Sequence, residues 1–342
     1  MAEEEFFFVT GSEMLKLGYG YQLESKDDIF FQETQLVINR IVKSLAPTSF
    51  AVNIFPFLNH IPGWLPGMGW KRTAQEWRKH KEKVYESLYK WTESQVLAGT
   101  AEPSVLGYLL QDEDTTTGLS PEEKEKRLKE LAIALYGGGT ETTSGTLMKF
   151  IAAMVLNPNI QAKAQKEIDF VVGSDRLPKM SDRDHLPYTR NLILEVLRWH
   201  TVSPTGMVIL YDLLHYDIEK GSVIMANTWA MSRDETVYKD SESFNPDRFL
   251  DPSVPQLPVF GWGRRICPGM HFAESALFII ITSLLATFTF SAKKDEEGRD
   301  IIPQVKGVPD PPTLNLQPFE FEFKIRSELH RKLILTHNTM SN

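Results

Sequence analysis

The 342-residue sequence contains a single cysteine, Cys267. One thiol forms no intramolecular disulfide, so a small secreted fold stapled by bridges is excluded. Basic residues are not in excess. The chain has 37 Lys and Arg against 45 Asp and Glu, a formal net charge of -8, and this balance rules out a broad nucleic-acid surface. The opening "MAEEEFFFVT" lacks the basic region and apolar length of a secretory leader. Long apolar runs are scarce. The longest, "ALFIIITSLLATFTF" from Ala276 to Phe290, is interrupted by Thr and Ser. It is too short to cross a bilayer and reads as a buried core helix. There is no repeat of fixed period, and low complexity is confined to Glu3–Glu5 and Thr115–Thr117.

The residues present suit a soluble globular chain with one large core or two modest ones. Helical periodicity covers 26–45, 71–98, 121–156, 158–172, 188–200 and 270–288. The third of these opens with Ser120 as N-cap, Pro121 at the first helical position and acids in the first turn. Short apolar runs between 201 and 225, around Gly221, predict a few strands. Residues 240–269 are rich in Pro, Gly, Asp and Phe and predict a long ordered loop, the kind of segment that carries function. Residues 301–326, with five prolines, read as loop or short strand. The expectation is a single domain over 1–342, mainly α with a minor β part.

Four stretches carry candidate chemistry. In "NIFPFLNHIPGWLPGMGWKR", residues 53–72, Phe55, Phe57, Trp64, Leu65 and Trp70 alternate with prolines, which excludes a regular helix. The stretch is either a loop packed on its own domain or a surface that enters a membrane interface, where Trp favours the headgroup level. The basic residues from Lys71 to Lys83 suit anionic lipid heads or a solvated helix face. In "LYGGGTETTSG", three consecutive glycines interrupt a helical pattern and precede Glu141, Thr142 and Thr143. They mark a helix break, a tight helix crossing, or a helix whose backbone a flat ligand approaches. In "LILEVLRWH", Glu195 and Arg198 share one face of a helix that is apolar nearly all round. Buried charges need partners, and Arg248 of "FNPDRF" is a candidate third member.

The fourth stretch is "PVFGWGRRICPG", residues 258–269. A lone cysteine is a small buried hydrophobe, a reactive thiol or a metal ligand. Cys267 precedes Pro268, Gly269 and a helical run, which places it at a helix N-terminus that favours a thiolate. Gly261, Gly263 and Gly269 allow the backbone to fold round the sulfur and donate N–H groups to it. No second cysteine or nearby histidine completes a tetrahedral zinc site. One protein ligand suffices for a metal that brings its own equatorial four, as haem does.

The "FGWGRRICPG" segment matches F-x-x-G-x-R-x-C-x-G, the cysteine loop of the cytochrome P-450 family of haem-thiolate monooxygenases. "GGTETT" (138–143) resembles the family's oxygen-binding central helix, "EVLR" its buried E-x-x-R, and "NPDRF" (245–249) the loop whose arginine joins that pair. The four occur in the family's order, from about residue 14 to the C-terminus, and the style resembles the fungal microsomal branch. The resemblance implies a P-450 fold and a haem b cofactor held by Cys267 as axial thiolate. It implies that Arg265 holds a propionate and that Phe260 shields the sulfur, with Gly263 and Gly269 shaping the loop. Glu141 and Thr142 would organise proton delivery, Gly138 and Gly139 would leave room for O2, and Glu195, Arg198 and Arg248 would form a structural triad. The implied reaction inserts one oxygen atom from O2 into an apolar small molecule, at the cytoplasmic face of the endoplasmic reticulum. Electrons would come from a separate NADPH-cytochrome reductase, since the chain carries no Rossmann fingerprint.

Family members usually begin earlier, with an anchor, a Pro-rich hinge and a Trp-bearing helix that meets the propionates. The N-terminal portion is therefore expected to be missing here. Relatives also carry a basic residue after the E-x-x-R helix, whereas Thr205 to Leu214 has none. The alternative expectation is an inactive truncated remnant, or a gene-model fragment, that binds haem poorly.

Overall fold

Residues 2–45, 49–112, 114–208, 219, 222, 224–310 and 313–340 are described by a computed structural model. The chain divides into two compact units, residues 1–144 and 145–342, and the boundary falls inside one long helix.

The first unit consists of α1 (Ala2–Tyr19), α2 (Ile29–Leu45), α3 (Ala51–Ile54), α4 (Gly69–Ala98), α5 (Val105–Gln111) and the larger part of α6 (Pro121–Leu156). Helices α1 and α5 were not expected from periodicity. In α1, Glu3, Glu4 and Glu5 occupy the first turn and Lys16 the last, the arrangement a helix dipole favours. Its Gly11, Met14, Leu15 and Gly18 recur at helical spacing and are buried. Helix α5 starts at Ser104, whose hydroxyl accepts from the Gly107 amide at 3.1 Å. Helix α6 opens with the expected cap in its reciprocal form: Ser120 Oγ accepts from the Glu123 amide, and Glu123 accepts from the Ser120 amide.

Two of the three consecutive glycines in α6 have a packing reason. A Cβ on Gly139 would lie 2.1 Å from Met14 Sδ, and one on Gly137 would lie 2.9 Å from Ile38 Cδ1. Helices α1 and α2 approach the α6 backbone at these points, and Thr10 Oγ1 of α1 donates to the Thr140 carbonyl at 3.1 Å. This is the tight helix crossing among the readings of the glycine run.

The second unit holds the end of α6, α7 (Pro158–Val171), α8 (Pro187–Trp199), α9 (Thr228–Met231), α10 (Met270–Thr287) and α11 (Glu328–Met340). The expected strands near 201–225 are β1 (Gly206–Val208) and β2 (Ile224–Ala226), paired antiparallel with Gly206 opposite Ala226. From Ile209, the segment without basic residues lies outside the described residues, as does Gly221. Strands β4 (Asp300–Ile301), β3 (Phe288–Lys294) and β7 (Phe321–Ile325) form an antiparallel sheet in that order, while β5 (Gly307–Asp310) pairs with β6 (Thr313–Leu316).

The expected helix to Phe290 ends at Thr287, because "FTFSA" switches to strand alternation with Phe290 and Ala292 buried. Two glutamines of α7 satisfy the backbone at this switch. Gln161 Nε2 donates to the Phe290 carbonyl at 2.9 Å and its Oε1 accepts the Phe290 amide at 2.7 Å, while Gln165 Nε2 donates to the Phe288 carbonyl at 2.8 Å. By length and composition α10 is apolar enough to cross a membrane. Its Leu277, Phe278, Ile281 and Leu285 are nonetheless packed inside the second unit.

Candidate functional site

The cysteine loop is closed by its own backbone before α10 begins. The Cys267 amide donates to the Phe260 carbonyl at 2.8 Å, which staples the two ends of the loop. Inside it, the Gly261 amide donates to the Pro258 carbonyl at 3.0 Å and the Ile266 amide to the Gly263 carbonyl at 3.2 Å, across a 3-10 turn at Gly263–Arg265. Gly261 (φ 82°) and Gly263 (φ 60°) lie in the left-handed region, which is what demands glycine there. A Cβ at either position would meet no atom within 4 Å, so crowding plays no part. Gly269 caps α10, and the Ala273 amide donates to its carbonyl at 2.8 Å.

This geometry corrects one expectation. The Gly261 amide is spent on Pro258, and among the described residues no hydrogen bond reaches the Cys267 sulfur. The loop shapes the backbone round the thiol without donating to it. The thiol is exposed, and Ile266 and Phe272 beside it are 42% and 37% exposed. A single exposed thiol thus stands just before a long helix, and the exposed apolar side chains of Ile266 and Phe272 lie close to it along the chain. Arg265 is exposed, and among the described residues its guanidinium has no ion-pair partner. Phe260 is half-buried. This donor set suits a flat apolar group that brings an anionic substituent and accepts one axial thiolate, and haem meets that description.

On α6, Gly138 differs from its neighbours: a Cβ there would meet nothing within 4 Å, and the residue is exposed. Thr142, one turn on, is also exposed, and its hydroxyl donates to the Gly138 carbonyl at 2.6 Å. Thr142 Oγ1 is therefore held over the one open glycine of the run. Glu141 is half-buried, and Thr143 points inward. The grouping of Gly138 with Gly139 separates here, since Gly139 is accounted for by Met14.

The three charged residues of α8 and its following loop meet as expected. Glu195 and Arg198 are both fully buried. Arg198 Nε and one terminal nitrogen donate to the two Glu195 oxygens at 2.8 Å each. Arg248 Nε donates to both oxygens at 3.1 Å, and the Asn245 amide adds a donor at 2.8 Å. Two guanidinium groups share one carboxylate, so one positive charge remains for other dipoles to solvate. Backbone carbonyls do this. Arg198 reaches Ser232 at 2.6 Å and Ser243 at 3.3 Å, while Arg248 reaches Lys239 at 2.8 Å, Ser243 at 3.1 Å and Asp240 at 3.3 Å. Asp240 has a φ of 50°, a left-handed value that is uncommon outside glycine. Arg198 also lies 5.3 Å from the Tyr238 ring centroid, and the Tyr238 hydroxyl donates to the Pro255 carbonyl at 3.1 Å. The triad is thereby linked to the segment that enters the cysteine loop. These carbonyls and Tyr238 have no motif signature.

One buried pair had no sequence signal. Lys149 of α6 is fully buried, and its amine has no hydrogen-bond partner among the described residues. Burial holds it down to about 7. His200, just past α8, packs edge-on against Trp199 and Trp229, and its Nδ1 has no partner among the described residues. Burial, Arg233 and Lys149 hold it down to about 4. The unfolded Lys149 amine keeps its proton to its ordinary 10.5, whereas the folded one sheds it near 7. Between these values the unfolded chain binds more protons, so stability rises with pH by up to about 1.4 kcal/mol per unit. Lys149→Met is expected to stabilise the chain most below pH 7, with the advantage shrinking toward pH 10.5. Chemical-denaturation midpoints measured across that range check this, and a constant gap refutes it.

Comparison with known proteins places these features in a family. A family model for cytochrome P450 matches residues 6–317. Cytochrome P450 monooxygenase COX1 of Coprinopsis cinerea is 36% identical over 339 residues, covering 95% of this chain and 65% of that protein. Cytochrome P450 monooxygenase 208 of Postia placenta is 38% identical over 331 residues, covering 93% of this chain and 62% of that protein. The chain thus spans a little under two thirds of the length of these relatives. A zebrafish cytochrome P450 solved with abiraterone shares the fold, with a TM-score of 0.76 and 24% identity over 95% of this chain and 72% of that one.

Proposed function

From the premise that the chain belongs to the cytochrome P450 family, we propose that it is the larger part of a haem-thiolate monooxygenase acting on an apolar small molecule, with electrons supplied by an NADPH-cytochrome reductase. The observation that carries this reading is the single exposed thiol of Cys267, at the start of α10 in a loop closed by the Cys267–Phe260 hydrogen bond. Haem b bound there would supply dioxygen activation, with the thiolate pushing electron density to favour O–O cleavage.

The chain's own residues do the rest. Cys267 binds, Arg265 pairs with a propionate, and Ile266 and Phe272 offer apolar contact. Phe260, whose carbonyl accepts the Cys267 amide, would shield the sulfur, and Gly263 and Gly269 set the backbone. Glu195, Arg198 and Arg248 hold the approach to the loop. Thr142 holds a proton on Oγ1 next to Gly138, and Glu141 precedes it on the same helix as a carboxylate able to exchange one. The proposed location is the cytoplasmic face of the endoplasmic reticulum. Membrane contact through residues 53–72 is supported by Phe55, Phe57 and Trp64, which are 52%, 63% and 81% exposed.

The test is spectroscopic. The chain loaded with haem, reduced and exposed to carbon monoxide should show the red-shifted Soret band of thiolate ligation. Failure to take up haem, or a band typical of a nitrogen ligand, sinks the proposal and favours the inactive remnant. Thr142→Ala should keep that band while diverting electrons from product to peroxide, by about ten-fold or more. Unchanged coupling between electron use and product removes Thr142 from proton delivery.

A further inference from the structure

Outside the proposed haem-binding residues, the first unit carries a concave feature. A cavity of about 380 Å³ opens between α2, α3 and the start of α4, a volume in the range of small-molecule sites. Its composition is uneven. Arg40, Arg78 and Lys81 line it, and no carboxylate does among the described residues. Phe50, Trp70 and Trp77 supply aromatic walls, with Val37 and Ile41 on the α2 side.

Among the described residues none of the three cations makes a direct ion pair with an acid, and Arg40 reaches Glu33 only through His80. Arg40 is bonded to His80 Nδ1 at 2.7 Å and lies 5.9 Å from the Trp77 ring centroid. Lys81 lies 5.3 Å from the Tyr85 ring centroid, a contact that leaves its charge unneutralised. Arg78 is exposed and makes no ion pair among the described residues. A separate observation points to a missing acceptor. The indole N–H of Trp70, a wall of this cavity, is buried and has no hydrogen-bond partner among the described residues. Buried indole N–H groups ordinarily find one. A concave site with apolar aromatic walls, three cations, no acid and an unanswered buried donor is complementary to a molecule with an apolar body and an anionic oxygen head.

We propose that this cavity binds an amphipathic anion, an alkyl chain ending in a carboxylate or a phosphate. A head oxygen accepts the Trp70 N–H, Arg78 and Lys81 neutralise the charge, and the chain lies on Phe50, Trp77 and Val37. The site shares no residue with the cysteine loop or with the Gly138–Thr142 face of α6, and it stands independently of the monooxygenase reading. The same head-group chemistry belongs to a free fatty acid and to a phospholipid, and the experiment separates them.

Binding of dodecanoate, dodecyl phosphate and dodecanol to the full chain is measured by titration calorimetry, for wild type, for Arg78→Glu with Lys81→Glu, and for Trp70→Phe. Circular dichroism verifies that each variant is folded. At least one anion should bind saturably to wild type and about ten-fold more weakly to the charge-reversed variant. Trp70→Phe keeps the ring and removes the donor, so it should weaken the same anion by about three-fold. Tighter binding of dodecanoate assigns the site to fatty acids, and tighter binding of dodecyl phosphate assigns it to lipid phosphates. Dodecanol binding as tightly as the anions, unchanged anion affinity in the charge-reversed variant, or no saturable binding to wild type overturns the proposal. Because haem plays no part in these titrations, failure here leaves the spectroscopic test of the catalytic reading unaffected.

Discussion

Cys267→Ser is expected to abolish the red-shifted Soret band of the reduced carbon monoxide complex while leaving the fold of the haem-free chain almost unchanged. The two halves of this expectation have different physical sources. The thiol is exposed, and what holds the loop is backbone: the Cys267 amide to the Phe260 carbonyl, the Ile266 amide to the Gly263 carbonyl and the left-handed Gly261 and Gly263. Serine retains the amide and adds no bulk, so the change in haem-free stability should stay within about 0.5 kcal/mol. The ligand changes completely. A serine hydroxyl is a far weaker acid than a thiol and keeps its proton at neutral pH, so the thiolate donor is lost. Denaturation of the two haem-free chains, set beside the carbon monoxide spectra of the loaded ones, checks both halves. A surviving thiolate band removes Cys267 as ligand. A large loss of haem-free stability refutes the backbone account of the loop.

Glu195→Gln is expected to do the reverse and damage the fold without touching any ligand. Glu195 is the one carboxylate between two buried guanidinium groups, and it accepts from Arg198, Arg248 and the Asn245 amide. The amide keeps the shape, but it removes the charge and places an NH2 donor against arginine donors. Two cations then remain in the interior, faced by carbonyl dipoles at Ser232, Ser243, Lys239 and Asp240, the Tyr238 ring and the more distant Glu235 charge. Breaking a buried pair in this way costs about 3–5 kcal/mol. The effect should reach the cysteine loop, because Tyr238 packs on Arg198 and donates to the Pro255 carbonyl. Urea midpoints measure the first effect, and haem occupancy at a temperature where the variant is still folded measures the second. A destabilisation below about 1 kcal/mol would show that the remaining groups solvate both arginines.

The E-x-x-R pair, the cysteine loop and the α6 cap are local patterns: spacing gives the shared helix face, the glycine turn and the cap, while the roles of Cys267 and of the triad rest on the family resemblance. Glu195 and Arg198 three apart must share a helix face. Gly261 and Gly263 flank a turn that needs positive φ. Ser120 and Glu123 stand at capping-box distance, and the reciprocal bonds follow. Helix α1 is absent from the expected helices: its acidic first turn and Gly11, Met14, Leu15 and Gly18 are helical signals, but its three adjacent phenylalanines resemble an irregular apolar run.

What could not be read from the chain depends on which surfaces meet. Gly138 and Gly139 are adjacent and identical in kind, yet Met14 sits over one and open space over the other. Nothing within α6 distinguishes them, because α1 supplies the difference from more than a hundred residues away. Lys149 looks like any lysine near the end of a helix until packing buries its amine without a partner. Phe288 to Ala292 could have extended α10, and their pairing with β7 makes them a strand. The extra positive charge of the triad implies that acceptors must exist, but it does not say which. Asp240 at its left-handed φ, with Lys239 and Ser243, supplies them because the loop between α9 and Arg248 folds so that its carbonyls turn inward. Local spacing sets what each segment prefers, whereas the pairing of distant segments sets which side chains lose water and which backbone groups must answer them.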